Sequence, residues 1–162
     1  MRVRPARAED AARIVEIWNH YVRETAATFT TAEKTEAGIA ADIAARVGGG
    51  AAFLVAEEAG GVIGFATSFQ FRGGPGYRHT MEHSVLLDPR ARSRGAGRAL
   101  MTELARVARE GGAHVLVAGV SGENPAGVAF HEAIGFARVG EMPEVGFKFG
   151  RWMSLVLMQK IL

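Results

Sequence analysis

Residues 80–98 read TMEHSVLLDPRARSRGAGR, and the change of pattern within this stretch predicts the fold. The mainly apolar residues before Asp88-Pro89 are typical of a β-strand, which the Asp-Pro pair ends. From about Gly97 the apolar residues recur at the spacing of a helix that buries one face, beginning with Leu100. A strand that leads through a glycine-containing loop into such a helix is a building unit of an α/β domain.

The rest of the chain continues this alternation of strand-like and helical segments. Apolar residues at helical spacing predict two helices in the first third of the chain, and Asn124-Pro125 predicts the start of a short helix that ends at Gly135. Because strands outnumber helices and their order is mixed, we predict one α/β domain over residues 1–162, a twisted, mixed and mostly antiparallel sheet flanked by helices. The predicted strands are Phe53 to Glu57 and Val62 to Phe71 around a Gly60-Gly61 turn, Thr80 to Leu87, His114 to Val120, and a hairpin over Phe136 to Leu162.

Length and composition restrict the class of protein. A chain of 162 residues corresponds to one domain, and 48% hydrophobic with 22% charged residues are ordinary globular proportions. A net charge of only +2 gives little support to nucleic-acid binding. The absence of cysteine excludes disulfides, thiolate metal sites and an acyl-cysteine intermediate. Without a signal-peptide core or an apolar run of about 18 residues, we expect a cytoplasmic protein with no membrane partner.

The loop between the strand that ends at Asp88-Pro89 and the helix that follows has the features of an anion-binding site. Arg92-Ser93-Arg94-Gly95-Ala96-Gly97-Arg98 contains two glycines that let backbone N–H groups converge, while the arginines and the helix dipole attract negative charge. A pyrophosphate is the natural ligand of such a loop. Leu100 stands where a dinucleotide fingerprint has its third glycine, and the Gly-Lys-Ser/Thr of a P-loop is missing. The alternative is an ordinary glycine-rich turn before a helix.

The preceding strand carries a motif with two histidines and one acid. His79-Thr80-Met81-Glu82-His83 matches the His-x-x-Glu-His pattern of zinc enzymes, in which both histidines lie on one face of a helix. On a strand, residues four apart lie about 13 Å from each other, too far to share one ion, so we expect no metal. Glu82 is an isolated acid among apolar strand residues. It is either a salt-bridged structural group or a general base with a raised pKa.

These residues resemble the GNAT superfamily of N-acetyltransferases, whose acetyl-CoA pyrophosphate loop has the Arg92-x-x-Gly95-x-Gly97 pattern between a strand and a helix. Within it, the chain is similar to the phosphinothricin and methionine sulfone (sulfoximine) acetyltransferase group over nearly its whole length. The matching segments are NHYV (19–22), ATF (27–29), FR (71–72), YRHT (77–80), EHSV (82–85), AGV (118–120), EN (123–124), FHE (130–132), GF (135–136), EVG (144–146) and KFGRW (148–152). Met81, Leu86 and Gly127 depart from the group's usual residues, so we expect a pocket of somewhat different shape.

The resemblance implies that acetyl passes from acetyl-CoA to the α-amine of a small amino acid, with no covalent enzyme intermediate and no metal. An ammonium cannot attack a thioester, so a base must remove its proton, and donors must stabilise the carbonyl oxygen as it gains charge. By resemblance, Glu82 is the base, directly or through a water. The implied acetyl-CoA contacts are backbone N–H groups at Val85, Leu86 and Leu87, the loop residues Arg92, Ser93, Arg94, Gly95, Ala96, Gly97 and Arg98, and Asn124.

The resemblance also indicates how the acceptor is bound. Arg72 with the Gly73-Gly74 turn is expected to bind the acidic end of the substrate, for which a bidentate Arg–carboxylate contact is the physical basis. Phe29 and Tyr77 are expected to form pocket walls. The alternative for such aromatic residues is ordinary packing in the core.

Two residues of the short predicted helix have two interpretations each. His131 stands where many superfamily members have a tyrosine, so it is a candidate general acid that protonates the leaving thiolate. The alternative is a packed histidine near the helix end. Asn124 is expected both to cap its helix and, by resemblance, to contact CoA.

Two competing function classes are weighed against amino-acid acetylation. A non-catalytic acyl-CoA-binding module would not need the base, so the presence of Glu82 argues against it. A GNAT enzyme that modifies a protein N-terminus would need an open peptide groove, whereas Arg72 and the aromatic residues favour a closed pocket for a small acid.

The last segment predicts an interface. Lys148, Phe149, Arg151 and Trp152 form a cationic and aromatic cluster of the kind enriched in interface anchors. By resemblance this segment helps to form a homodimer with the substrate pocket near the interface. The alternative is a hairpin that packs its own aromatic residues against the sheet.

Overall fold

The structure, a computed structural model, describes residues 1–59, 61–91 and 95–162. No helix in these ranges is long and apolar enough to cross a membrane. The elements are β1 (Arg2–Pro5), α1 (Ala11–Glu24), α2 (Glu36–Gly48), β2 (Phe53–Glu58), β3 (Gly61–Gln70), β4 (Thr80–Leu87), α3 (Ala96–Glu110), β5 (Val115–Ser121), α4 (Pro125–Ala133), β6 (Ala137–Lys148) and β7 (Arg151–Ile161).

The seven strands form one sheet in the order β1-β2-β3-β4-β5-β7-β6. Only β4 and β5 are parallel, and every other neighbouring pair is antiparallel. The predicted α/β fold with a mixed, mostly antiparallel sheet and a final hairpin is therefore confirmed. Gly60, part of the predicted turn between β2 and β3, lies outside the described residues.

Strand β1 is not predicted from the sequence, because its four residues carry one apolar side chain, Val3. Its position at the sheet edge depends on charges instead. Arg4 Nε donates to Glu57 Oε2 on β2 at 2.8 Å, and Arg4 Nη1 donates to Asp10 Oδ2 at 2.7 Å. Charged side chains of this kind also protect an edge strand from pairing with other chains.

Helices cover both faces of the sheet, and the alternation of side chains along β2 shows why. Phe53 and Val55 point into the cluster that α1 and α2 bury, whereas Leu54 and Ala56 point into the cluster that α3 buries. In α1, Ile14 and Ile17 are fully covered, as the helical spacing predicts. The apolar faces predicted from helical spacing are therefore the ones that the core contains.

Strands β4 and β5 pair over only three residues of each strand. Their pairing covers Thr80↔Val115, Met81↔Leu116 and Glu82↔Val117 and then ends. Beyond this point β4 still pairs with β3 as far as Leu87, and β5 still pairs with β7 as far as Ser121. The two halves of the sheet therefore diverge, and a cleft opens between them.

Both helices that follow these parallel strands begin at the mouth of this cleft. The N-terminus of α3 follows β4 through residues 88–95, and α4 follows β5 after three residues. The free N–H groups and positive dipole ends of two helices thus lie at the carboxyl ends of the parallel strands, where open α/β sheets bind their ligands.

Asp88 fixes the end of β4 to its surroundings. The residue is 6% exposed, and its Oδ1 accepts hydrogen bonds from the backbone N–H and Nε of Arg90 at 2.9 and 3.1 Å. Its carboxylate also forms an ion pair with Arg13 on α1. The hydrogen bonds from Arg90 hold the pKa of Asp88 well below its usual range.

We expect Asp88→Asn to lower the free energy of unfolding by about 1–3 kcal/mol, because it weakens hydrogen bonds to a charged group. Since the folded-state pKa is lowered, this contribution is present above about pH 4 and is lost as the pH falls further. Urea denaturation at pH 7 and at pH 3.5 measures both effects. The control Arg106→Ala removes the surface pairs with Glu103 and Glu110 and should have a much smaller effect. Equal losses in the two variants would contradict the anchoring role.

Candidate active site

A cleft of about 880 Å³ lies between the diverging halves of the sheet. One wall comes from β4, including Glu82 and Val85, and the opposite wall from β5 and the first turn of α4, including Gly119 and Asn124. Residues 25–30, which follow α1, line its remaining side. The cleft therefore joins residues that lie almost 100 positions apart in the sequence.

Glu82 stands at the last position at which β4 pairs with β5, where the cleft begins. Its carboxylate lies over Gly119, since a Cβ at that glycine would be 3.4 Å from Glu82 Oε1. Among the described residues, no hydrogen bond or ion pair engages this carboxylate, and burial alone raises its pKa. Of the two interpretations of Glu82, the geometry supports the general base rather than the salt-bridged group.

The backbone of β4 beyond Glu82 faces the cleft without a strand partner from β5. Val85, Leu86 and Leu87 all line the cleft. The Leu87 carbonyl accepts a hydrogen bond from Tyr21 Oη at 2.6 Å, which ties this strand end to α1. Because β4 has no partner from β5 here, backbone groups along this edge are available to a ligand.

The two glycines of the predicted anion loop have different physical roles. Gly95 precedes α3 with φ +79°, a conformation that side chains disfavour. Gly97 lines the cleft, and a Cβ there would lie 3.3 Å from the ring of Phe130 on α4. Gly97 thus permits close helix packing as well as close approach of a ligand. Ala96 is buried beside it and Arg98 is exposed, whereas the predicted residues Arg92, Ser93 and Arg94 lie outside the described residues.

Asn124 caps α4 as predicted. Its Oδ1 accepts a hydrogen bond from the Gly127 N–H at 3.0 Å, and Pro125 occupies the first helical position. A Cβ at Gly127 would lie 2.4 Å from Asn124 Nδ2. The glycine at this position therefore leaves space for the Asn124 amide, which also lines the cleft.

His131 contacts His83 across the cleft floor. His131 Nδ1 lies 2.8 Å from the Gly127 carbonyl oxygen, so this nitrogen carries the hydrogen. In the neutral ring, Nε2 is then an acceptor, and it lies 3.0 Å from His83 Nε2, which must donate. His83 Nδ1 is buried without a hydrogen-bond partner among the described residues.

This arrangement differs from the predicted acid role of His131. Neither ring nitrogen of the neutral side chain has a hydrogen free to donate into the cleft. Burial lowers the pKa of both His83 and His131, which favours their neutral forms. The geometry therefore favours the alternative, a packed histidine that links α4 to β4.

The two histidines of the His-x-x-Glu-His motif have separate partners. His79 Nδ1 contacts the Gly112 carbonyl oxygen at 2.7 Å, whereas His83 contacts His131. Within the described ranges there is no cluster of three metal-ligating side chains.

Arg72, Gly73, Gly74 and Tyr77 lie in the β3–β4 connection and not in the wall of the cleft. All four are exposed, and the Arg72 guanidinium lies 5.4 Å from the centroid of the Tyr77 ring. The guanidinium has no carboxylate partner among the described residues. Within one chain, the structure thus separates these predicted acceptor residues from Phe29 and Glu82, which do line the cleft.

Lys148 is only 2% exposed within one chain, so it does not share an interface surface with Phe149, Arg151 and Trp152, and its assignment to the predicted interface cluster is wrong. Side chains alternate along β6, and Gly146 and Lys148 are its two buried positions. The ring of Phe29 lies directly on Gly146, where a Cβ would be 2.4 Å from Phe29 Cδ2. The Gly146-x-Lys148 spacing is the signal that could have placed both residues on the inner face.

Comparison with known proteins agrees with this geometry. The family described as acetyltransferase (GNAT) domain matches residues 3–157. L-amino acid N-acyltransferase MnaT of Escherichia coli is 42% identical over 98% of this chain and 92% of its own length. L-methionine sulfoximine/L-methionine sulfone acetyltransferase of Salmonella typhimurium is 41% identical over 98% of this chain and 93% of its own length.

Solved structures show the same fold. A phosphinothricin acetyltransferase from Sinorhizobium meliloti, solved with acetyl-CoA, superposes with a TM-score of 0.93 at 36% identity, over 99% of this chain and 88% of that one. A ribosomal-protein-alanine N-acetyltransferase from Brucella melitensis superposes with a TM-score of 0.96 at 38% identity, over 100% of both chains.

The histidine pair predicts a pH dependence of stability. An unfolded histidine takes up a proton near pH 6.5, and burial lowers the pKa of His83 in the folded state. The stabilisation of the folded state by the buried, neutral His83 is therefore complete above about pH 6.5 and is lost as the pH falls. We expect the free energy of unfolding of the wild type to fall more steeply from pH 7 to pH 5 than that of His83→Gln. Urea denaturation at several pH values measures this slope. As a control, His114→Gln removes an exposed histidine and should leave the slope as in the wild type. A wild-type slope in His83→Gln would refute the interpretation.

Proposed function

Because the chain belongs to the GNAT acetyltransferase family, we propose that it transfers acetyl from acetyl-CoA to the α-amine of a small amino acid or analogue. The substrate class is that of phosphinothricin, methionine sulfone and methionine sulfoximine. The observation that carries the proposal is the half-buried Glu82 carboxylate, which faces the cleft with no partner among the described residues.

Glu82 acts as the general base. An amino group arrives as an ammonium, and a carboxylate with a raised pKa can take its proton directly or through a water. The amine nitrogen then bonds to the thioester carbon and the C–S bond breaks. The proton that the attached nitrogen loses to become an amide goes to the leaving thiolate, which departs as the thiol. Backbone N–H groups at Val85 to Leu87 are proposed to hold the carbonyl oxygen, because this edge of β4 has no partner from β5.

Acetyl-CoA is proposed to enter from the helix N-termini. Free N–H groups of the first turn of α3, at Ala96, Gly97 and Arg98, suit a pyrophosphate, and the positive φ of Gly95 turns the chain into this helix. Arg92, Ser93 and Arg94 remain proposed contacts from the sequence alone. Asn124 stands at the N-terminus of α4 on the other side of the mouth.

The acceptor is proposed to lie against Phe29 and Glu82. Its acidic end is proposed to be bound by Arg72 of the Gly73-Gly74 turn; because this turn lies outside the cleft wall of one chain, the contact requires that the turn move or that a second copy of the chain supply it. The support for Arg72 is chemical, since its guanidinium lacks a carboxylate partner in the described part of the chain and can bind one bidentately. Tyr77, on which Arg72 stacks, orients that side chain. The similarity to a ribosomal-protein-alanine N-acetyltransferase keeps a protein N-terminus as the second candidate acceptor.

A homodimer is proposed through the β6–β7 hairpin. β6 is the outer strand of the sheet, and Phe147 and Trp152 are 53% and 61% exposed with their rings 4.7 Å apart. The hairpin therefore does not pack these aromatic residues against its own sheet. Phe149 and Met142 extend the apolar surface, which suits a second copy of the chain.

The decisive experiment measures acetyl-CoA consumption with a thiol reagent for wild type and Glu82→Gln. We expect the wild type to acetylate phosphinothricin, methionine sulfone or methionine sulfoximine, and the variant to lose about 10²- to 10⁴-fold in rate. Because burial raises the pKa of Glu82, its charge is unfavourable in the folded state, so the variant should be at least as heat-stable as the wild type.

The control panel for this experiment contains ordinary amino acids and a peptide with N-terminal alanine. Turnover of the peptide alone would favour the second candidate acceptor. A fully active Glu82→Gln protein would exclude the base, and lost stability with retained activity would indicate a structural carboxylate.

Trp152→Ala tests the dimer. We expect light scattering to show a shift towards monomer and kinetics to show a higher KM for the amino acid, because one anchor orders both the interface and the nearby pocket wall. Ile161→Ala, which removes an equally exposed side chain from the far end of β7, should change neither property. A wild type that is monomeric at micromolar concentration and fully active would refute the dimer proposal.

A further inference from the structure

Lys148 is a buried cation that is satisfied by backbone oxygens. Its Nζ donates hydrogen bonds to the carbonyls of Thr25, Thr28 and Tyr21 at 2.6, 2.8 and 3.3 Å. An ammonium has three N–H donors, so these bonds use all of them. No carboxylate in the described ranges forms an ion pair with it. A lysine held in this way serves to organise the backbone segment around it.

The segment that Lys148 holds is the wall of the cleft. Tyr21 lies in the last turn of α1, where a cation compensates the negative end of the helix dipole. Thr25 and Thr28 belong to the chain that follows, and residues 25–30 line the cleft. The lysine thus joins the end of a helix and one side of the site to the terminal hairpin.

Two further contacts define this wall. The ring of Phe29 packs on Gly146, two residues from Lys148 on the same face of β6. At the other end of the segment, Asn19 donates to the Lys34 carbonyl at 3.0 Å and accepts from the Lys34 N–H at 2.7 Å. The ten residues from Thr25 to Lys34 are therefore fixed at both ends, and Lys148 holds the end that faces the cleft.

We propose that Lys148 is a positioning residue for the acceptor, because it keeps residues 25–30 in place so that Phe29 presents a preformed wall to the amino-acid substrate. This inference rests on the function proposed above and deepens it. Lys148 does not contact the reacting atoms. It acts on the acceptor side, since the proposed acetyl-CoA contacts in the described ranges lie on β4, on α3 and at the start of α4, to which Lys148 Nζ makes no hydrogen bond.

The test is Lys148→Met, which keeps the apolar stem and removes the three donors. We expect faster amide hydrogen exchange in residues 25–30 and a rise of about tenfold in the KM for the amino acid. The wall of the variant is no longer preformed and must be ordered when the amino acid binds. The KM for acetyl-CoA should stay within about twofold of the wild type, and kcat should change less than the amino-acid KM.

Lys160→Met is the matched control. Lys160 Nζ also donates to a backbone carbonyl at a helix end, that of Ile134 after α4, at 2.7 Å. It lines a different groove, beside α3. This variant should change neither the exchange of residues 25–30 nor the amino-acid KM.

Gly146→Ala gives a second, independent variant that leaves Lys148 intact. A Cβ at Gly146 would stand 2.4 Å from Phe29 Cδ2, so the ring must move away from β6. The same selective rise of the amino-acid KM is expected. This variant decides the question if Lys148→Met does not fold.

Several outcomes overturn the inference. Unchanged exchange in residues 25–30 would show that Lys148 does not hold the segment, and faster exchange with an unchanged amino-acid KM would separate the segment from acceptor binding. An equal rise of both KM values, or the same effect in Lys160→Met, would indicate a general loss of structure. A wild type that binds acetyl-CoA but acetylates no amino acid refutes the proposed function and the acceptor role with it, whereas exchange still reports whether Lys148 fixes the segment.

Discussion

The short parallel contact between β4 and β5 is the constraint on which the rest of this protein depends. Three residue pairs hold the two halves of the sheet together before the strands diverge. Each strand remains paired on its other side, so the opening costs the sheet few hydrogen bonds. The divergence produces the cleft, frees one edge of β4 and brings the N-termini of α3 and α4 to the same mouth. The base, the cofactor-binding surface and the acceptor wall proposed here all follow from that one geometric feature.

The polar groups around the cleft have three different kinds of surroundings, and each kind suits a different role. The Glu82 carboxylate has no partner among the described residues, so it is free to accept a proton, and burial raises its pKa. His83 and His131 are neutral rings joined by one hydrogen bond, while His83 Nδ1 has no partner among the described residues. The Lys148 ammonium is surrounded by carbonyl oxygens. Of these groups, the Glu82 carboxylate is the one for which a chemical role is proposed, because it faces the cleft without a partner among the described residues and burial raises its pKa.

Three glycines lie against side chains that line the cleft. A Cβ at Gly119 would come within 3.4 Å of the Glu82 carboxylate, one at Gly127 would collide with the Asn124 amide, and one at Gly146 would collide with Phe29. None of the three has the positive φ that requires glycine at Gly95. At Gly127 and Gly146 the absence of a side chain is therefore a matter of space, and a larger residue there would move Asn124 or Phe29, whereas a Cβ at Gly119 would be in ordinary contact with Glu82.

The sequence by itself determined the features that depend on near neighbours. Apolar periodicity placed the helices and every strand except β1. Asn124 with Pro125 marked the start of α4, and the spacing of Gly95 and Gly97 marked the loop before α3, because helix caps, turns and alternating faces are decided within a few residues. Tertiary structure decided the rest. Lys148 bonds to carbonyls more than 100 residues away, His131 is engaged by a histidine 48 residues earlier, and the Arg72 turn lies apart from the cleft wall. Such contacts depend on how the sheet halves diverge and on which elements then meet across the opening, and no local pattern of residues encodes that.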